Sequence, residues 1–185
     1  MRKEYRKAVR AEFATRLAEL APGFGPVKVS ATVLDGGESV FRWAPCESLH
    51  TFVILVPSPT GHQAFTLEVA WSTAGRFPDV TARPSLVLGT NDPQPTHVEE
   101  GILRIGDLSE RRDVWWRLPD PAVERPGDLE ALRKSLEPIS AADATAEVRP
   151  RVEEAVDVLL GSAVPFLRDL AVRCCGCDVS PAGAS

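Results

Sequence analysis

Residues 101–118 read GILRIGDLSERRDVWWRL, and the phase of this stretch decides which way a sheet would face. Leu103 and Ile105 fall on one parity and Arg104 on the other. Further on, Val114, Trp116 and Leu118 share one parity while Asp113, Trp115 and Arg117 share the opposite one. Successive side chains of a strand point to opposite faces, so the adjacent tryptophans cannot both enter one core. The stretch is expected to form two antiparallel strands joined by a short charged turn. One indole then anchors the core, and the other is covered by a different layer or meets solvent.

Strand signals continue outward from it. Phe65, Leu67, Val69 and Trp71 alternate with Thr66, Glu68 and Ala70, the clearest period of two in the chain. Residues 50–56 are apolar at every position from Phe52, which predicts a central strand covered on both sides. Val27, Val29, Ala31 and Val33 alternate with Lys28, Ser30 and Thr32, and the turn Asp35-Gly36-Gly37 leads into a strand at Val40–Trp43. There Phe41 and Trp43 share a face and Arg42 takes the other. A short strand is expected around Leu86–Leu88, and residues 89–100, GTNDPQPTHVEE, read as a surface loop.

Helical periodicity frames these strands. Tyr5, Val9, Phe13, Leu17 and Leu20 lie on one stripe of a helix over residues 2–20, which Pro22 and Gly23 stop, with Phe24 folding back onto its end. After the proline-rich residues 119–127, Asp128 is placed to cap a helix carrying Leu129, Leu132 and Leu136. A second helix runs from about Ala141 to Cys174, with Val148, Val152, Val156, Leu159, Leu167 and Leu170 as its buried line. Pro150 and Pro165 predict a kink or break within it. Together these give a single α+β domain over residues 1–177. An N-terminal helix (1–20) leads to an antiparallel sheet of about five to six strands (26–118), helices over 128–175 pack on one face, and residues 178–185 form a mobile tail.

At 185 residues, 44% of them hydrophobic and 25% charged, the chain can bury a core without staples. No apolar run approaches the roughly 20 residues needed to span a bilayer. The opening MRKEYRKAVRAEF mixes charged with apolar residues, which leads to an expectation of a cytoplasmic protein with no membrane partner. The net charge of −5 is unevenly placed, because residues 1–16 carry six Arg or Lys against two Glu. An acidic body with one basic helix lacks the broad patch of a general nucleic-acid binder, so no nucleic-acid partner is expected.

Cys174, Cys175 and Cys177 crowd near the C-terminus and Cys46 stands apart, unlike a disulfide framework, so reduced thiols are expected. Cys174 and Cys177 have C-x-x-C spacing at a helix end, where the dipole disfavours thiolate and a redox role. A zinc site would need Cys46 or one of His50, His62 and His97 as fourth ligand, with no second paired motif to support it. No metal and no cofactor are expected. Nor is there a Gly-x-Ser-x-Gly, His-Glu-x-x-His, phosphate-loop or dinucleotide pattern, so no catalytic residues are assigned and enzymatic activity is not expected.

The clustered signal is the outward sheet parity. If Phe65, Leu67, Val69 and Trp71 face the helices, then Glu68 faces away, and so do Arg42, Arg104, Trp115 and Arg117. Three guanidiniums, a carboxylate and an indole can hold an anionic group or a partner's acidic side chains. The same residues can also satisfy one another as an ordinary surface.

The run Arg104-Ile105-Gly106-Asp107-Leu108 followed by Asp113-Val114-Trp115-Trp116 resembles the bacterial domain of unknown function 4304, in which an R-x-G-x-L strand leads to a D-x-W-W strand. Residues 65–78, FTLEVAWSTAGRFP, and 163–167, AVPFL, are similar to that family's central strand and turn and to its late helical segment. The resemblance implies a leading helix, an antiparallel sheet and closing helices, and no known reaction. By analogy of size, such small bacterial domains resemble immunity proteins. The leading expectation is a non-enzymatic cytoplasmic binding domain of immunity or antitoxin kind, using the outward sheet face or residues 89–100 to hold a protein. The alternative is a small-molecule or anion-binding protein in which Arg42, Arg104 and Arg117 meet a carboxylate or phosphate beside Trp115. A pocket between sheet and helices would favour the alternative.

Overall fold

The computed structural model describes residues 1–29, 37–60, 62–73, 100–109 and 114–176. Helix α1 (Lys3–Leu20) is followed by strands β1 (Gly25–Val27), β2 (Ser39–Cys46), β3 (Leu49–Pro57), β4 (Ala64–Ser72) and β5 (Glu100–Arg104). Next come a single turn α2 (Ile105–Leu108), a two-residue strand β6 (Trp116–Arg117), and helices α3 (Pro121–Glu124), α4 (Leu129–Leu136), α5 (Ala141–Val158) and α6 (Val164–Cys175). The sheet is antiparallel in the order β1-β2-β3-β4-β5, and β6 also pairs with β4. The α+β class, the leading helix and the closing helices are as the sequence predicts. The expected strand at 86–88 and the mobile tail lie outside the described residues. The first expected strand, from Val27, overlaps β1 at that residue alone: Lys28 and Val29 are outside any strand, and residues 30–33 lie outside the described residues.

Residues 101–118 depart from a hairpin. Their two strands do not pair with each other; both pair with the same edge of β4. Glu68 faces Arg104, and four residues back along β4 Ala64 faces Arg117. In uninterrupted register residue 107 would sit opposite Phe65, but Trp116 does. Nine residues are therefore looped out, and α2 forms within that excursion. Asp107 closes the start of the turn by accepting a hydrogen bond from the Arg104 backbone at 3.2 Å. Residues 110–113 of the expected charged turn lie outside the described residues, and pairing with β4 resumes at Trp116.

Parity decides what each face buries. Phe41, Val53, Leu55, Phe65, Leu67, Val69 and Trp71 join α1, α5 and α6 residues in the main core, with Trp116 stacked on Phe65 at 5.5 Å. Trp71 meets Phe166 edge-on at 5.5 Å. In α1, Tyr5, Val9, Phe13 and Leu17 are buried, whereas Leu20 is 52% exposed at the helix end. Phe24 folds back as expected, hydrogen-bonding the Ala21 carbonyl at 3.0 Å and packing on Trp43. All six positions of the C-terminal buried line are enclosed.

The two prolines behave differently. Pro150 sits inside α5 without breaking it; it and Ala146, whose carbonyl loses its intrahelical donor, occupy exposed positions where water can replace the bond. At Pro165 the helix does change: Leu159–Ala163 winds as one π turn before α6 begins. This wider turn inserts one residue beside a proline that cannot donate, and α2 packs against it.

The opposite sheet face is not the polar surface the alternation suggested. Val40, Phe52, Ile54, Ala70 and Ile102 form a second buried apolar cluster there, with Val27, Val29 and Val56 against it. A second correction concerns the cysteines. Cys46 at the end of β2 and Cys175 at the end of α6 are disulfide-bonded across 129 residues, while Cys174 is free and exposed. Sequence spacing could not reveal the bond, because the register bringing β2 under α6 is a tertiary property.

Candidate functional site

The five residues expected to form one recognition face share a parity but not a place. Arg42 on β2 lies in the row with Phe52, Ala70 and Ile102, three strand spacings from β5, which is about 14 Å. Arg104 is paired across the strands with Glu68, which is buried at the β4–β5 edge. Arg117 is four residues along that edge from Arg104, about 13 Å. The buried apolar cluster sits between Arg42 and the other two. The guanidiniums cannot converge on one small anion from these positions, although Trp115 and Arg117 do come together elsewhere.

They meet at the end of the sheet. A cavity of about 880 Å³ opens there between the β3–β4 turn, the chain after β6, α3 and one face of α5. The local sequence explains how its walls are held. Thr66 donates its hydroxyl to the Val114 carbonyl at 2.7 Å, and the Leu118 backbone donates to the Gln63 carbonyl at 2.7 Å. These bonds fix Trp115 and Arg117 on either side of the core anchor Trp116. Asp120 then caps α3, accepting from the Ala122 backbone at 3.2 Å, with Pro121 preset for the first turn. The proline-rich segment thus forms one wall of the cavity.

Half-buried Trp115, with Leu118, Val123, Pro59, Pro119 and Pro150, supplies apolar lining, and His62, Arg117 and Arg151 supply donors. The carboxylates at the cavity are largely engaged. Glu147 accepts the Tyr5 hydroxyl, and burial together with that bond raises the Tyr5 pKa above its ordinary value. Asp120 is used in the cap. Arg151 pairs with Glu154 at 3.1 Å, both partly exposed. Arg117 has no ion-pair partner among the described residues. An uncommitted guanidinium beside an indole can take a carboxylate or phosphate bidentately while an apolar group rests on the ring.

His62, Glu147 and Arg151 were missed as site residues. The first was weighed only as a possible zinc ligand, and the other two lay among the polar positions of a long helix. Their convergence on Trp115 depends on α5 packing against the end of the sheet, which no local spacing records. Among the described residues no group of three His, Cys, Asp or Glu side chains is arranged to hold a metal, and no helix is long and apolar enough to cross a membrane. Of the candidate loop 89–100, residues 89–99 lie outside the described residues and Glu100 begins β5 instead.

No family model matches the chain, and no characterised protein and no solved structure matches it either.

Proposed function

We propose that this chain is a binding protein for a small organic anion, seated in the cavity beside Trp115 with its acidic group on Arg117. The observation that carries this reading is the roughly 880 Å³ cavity between sheet and helices with both residues in its wall, a size and composition suited to a small ligand. Binding is favoured over catalysis because the nearest hydroxyls, Ser58 and Thr60, hydrogen-bond each other at 3.1 Å and neither is paired with His62 as a nucleophile with its base. A protein partner of immunity kind on the outward sheet face is less well supported, since a buried apolar cluster occupies the middle of that face. The helix–sheet–helix order agrees with what the resemblance to the domain of unknown function 4304 implies, and membership is part of the same proposal. A cytoplasmic location is compatible with this function only if the Cys46–Cys175 bond forms against a reducing thiol pool.

The test is calorimetric titration with benzoate, indole-3-acetate and inorganic phosphate. Binding of an aromatic carboxylate, weakened about 10- to 100-fold by Arg117→Ala and unaffected by Arg42→Ala, is the expected result. If none of the probes binds, or if Arg117→Ala leaves affinity unchanged, the reading fails.

A further inference from the structure

The wall of the cavity beside Trp115 carries more negative than positive charge. Asp120, Glu124 and Glu147 line it, against the guanidiniums of Arg117 and Arg151. Arg151 is already paired at 3.1 Å with Glu154, which lies outside the cavity. A ligand bearing only an anionic group would gain Arg117 and meet three carboxylates, a repulsion that grows as water is displaced. A positive group on the same ligand would turn that repulsion into attraction.

Glu147 is the carboxylate placed to receive it. Helix α5 packs against β6, and Glu147, Pro150 and Arg151, three and four residues apart, turn one helix face toward the cavity. Glu147 thus belongs to a different wall from Arg117. The two form no ion pair with each other, so a ligand can bridge them. Glu147 Oε2 accepts the hydroxyl of Tyr5, whose ring is buried, and this bond holds the side chain in place. Among the described residues Glu147 has no other partner. A carboxylate accepts several donors, so capacity remains for an ammonium. Asp120, by contrast, is engaged in the α3 cap, and Glu124 is exposed at the last position of α3.

Resting on the anion site proposed above, we infer that its ligand is zwitterionic: an aromatic amino acid with its carboxylate on Arg117, its ring against Trp115 and its ammonium on Glu147.

Calorimetric titration with L-tryptophan and indole-3-propionate tests this, because the two differ only in the α-ammonium. Tryptophan should bind about 10- to 100-fold more tightly. Glu147→Gln should bring the two affinities together by weakening tryptophan and not indole-3-propionate, whereas Arg117→Ala should weaken both alike. Glu147→Asp keeps the charge and should keep part of the preference. If indole-3-propionate binds and tryptophan binds no more tightly, the zwitterion is overturned and the anion site stands. If neither compound binds, both readings fall. A preference that survives Glu147→Gln, or that vanishes in Glu124→Gln instead, also overturns the inference. Should Glu147→Gln bind neither compound, Glu147→Asp decides, and loss of the preference there overturns the inference as well.

Discussion

Trp71 lies flat against the backbone of Gly101 on the neighbouring strand: a β-carbon on Gly101 would stand 2.1 Å from Trp71 Cζ2. The two are register partners, so the largest fully buried side chain of the core occupies the space that a side chain on β5 would need. Gly101→Ala is therefore expected to destabilise the fold by about 1–3 kcal/mol through overpacking. Denaturant unfolding measures this, and Trp71→Phe should recover part of the loss in the double variant although it costs stability alone. Additive effects would show that the contact is not the cause.

Tyr5 is the chain's one tyrosine, which makes its ionisation directly visible. Burial and its hydrogen bond to Glu147 raise its pKa in the folded state. A raised folded-state pKa favours the neutral form, so its contribution to stability is complete below pH about 10 and is lost as pH climbs above that value. Tyrosinate absorbance should rise together with loss of circular dichroism in the alkaline range. Tyr5→Phe should remove this alkaline dependence, and a tyrosinate signal well before unfolding would contradict the raised pKa.

The paired indoles should separate cleanly under mutation. Trp116 is buried against Phe65, and its replacement by alanine should cost about 3–5 kcal/mol. Trp115 lines the cavity, so Trp115→Ala should change thermal stability little while abolishing binding of an aromatic carboxylate. Equal losses of stability from both variants would place Trp115 in the core.

Reduction should be costly. Closing a loop of 129 residues restricts the unfolded chain, and on chain entropy alone loss of the Cys46–Cys175 bond is worth up to about 5 kcal/mol. Thiol counting on the unfolded protein should give two more reactive groups after dithiothreitol treatment than before. Cys46→Ser should lower the thermal midpoint comparably. If all four thiols react without reductant, the bond is absent from the isolated protein.

Much of the architecture could be read from local pattern. The alternation of 65–71 and the apolar run from Phe52 identified β4 and β3, and four-residue steps identified α1 and the C-terminal buried line. Asp128 was recognised as a cap because its chemistry is local. What escaped was pairing. Nothing between Arg104 and Trp116 distinguishes a hairpin from an excursion that returns to the same neighbour, since both preserve alternation and both contain a charged turn. The outer face was misjudged for a similar reason: Arg42 and Glu68 were visible on it, yet Val40, Phe52, Ile54 and Ile102 share their parity and meet only through register. Trp115 and Arg117 both line one cavity, and that cavity exists only with α3 and α5 packed beside them, which no local pattern records.

The single surplus residue of the Leu159–Ala163 turn has a consequence for how this chain tolerates change. An α-helix advances by about 100° per residue, but a widened turn absorbs its extra residue without passing that rotation on, so removing Gly161 would convert the turn to ordinary helix and leave everything after it facing as before. Leu167 and Leu170 would stay in the core and Cys175 at Cys46, whereas a deletion from the regular part of α5 would swing all three away. The C-terminal third therefore has one exposed place where the loss of a residue is absorbed, in a pair of helices that would accept it nowhere else along their buried line.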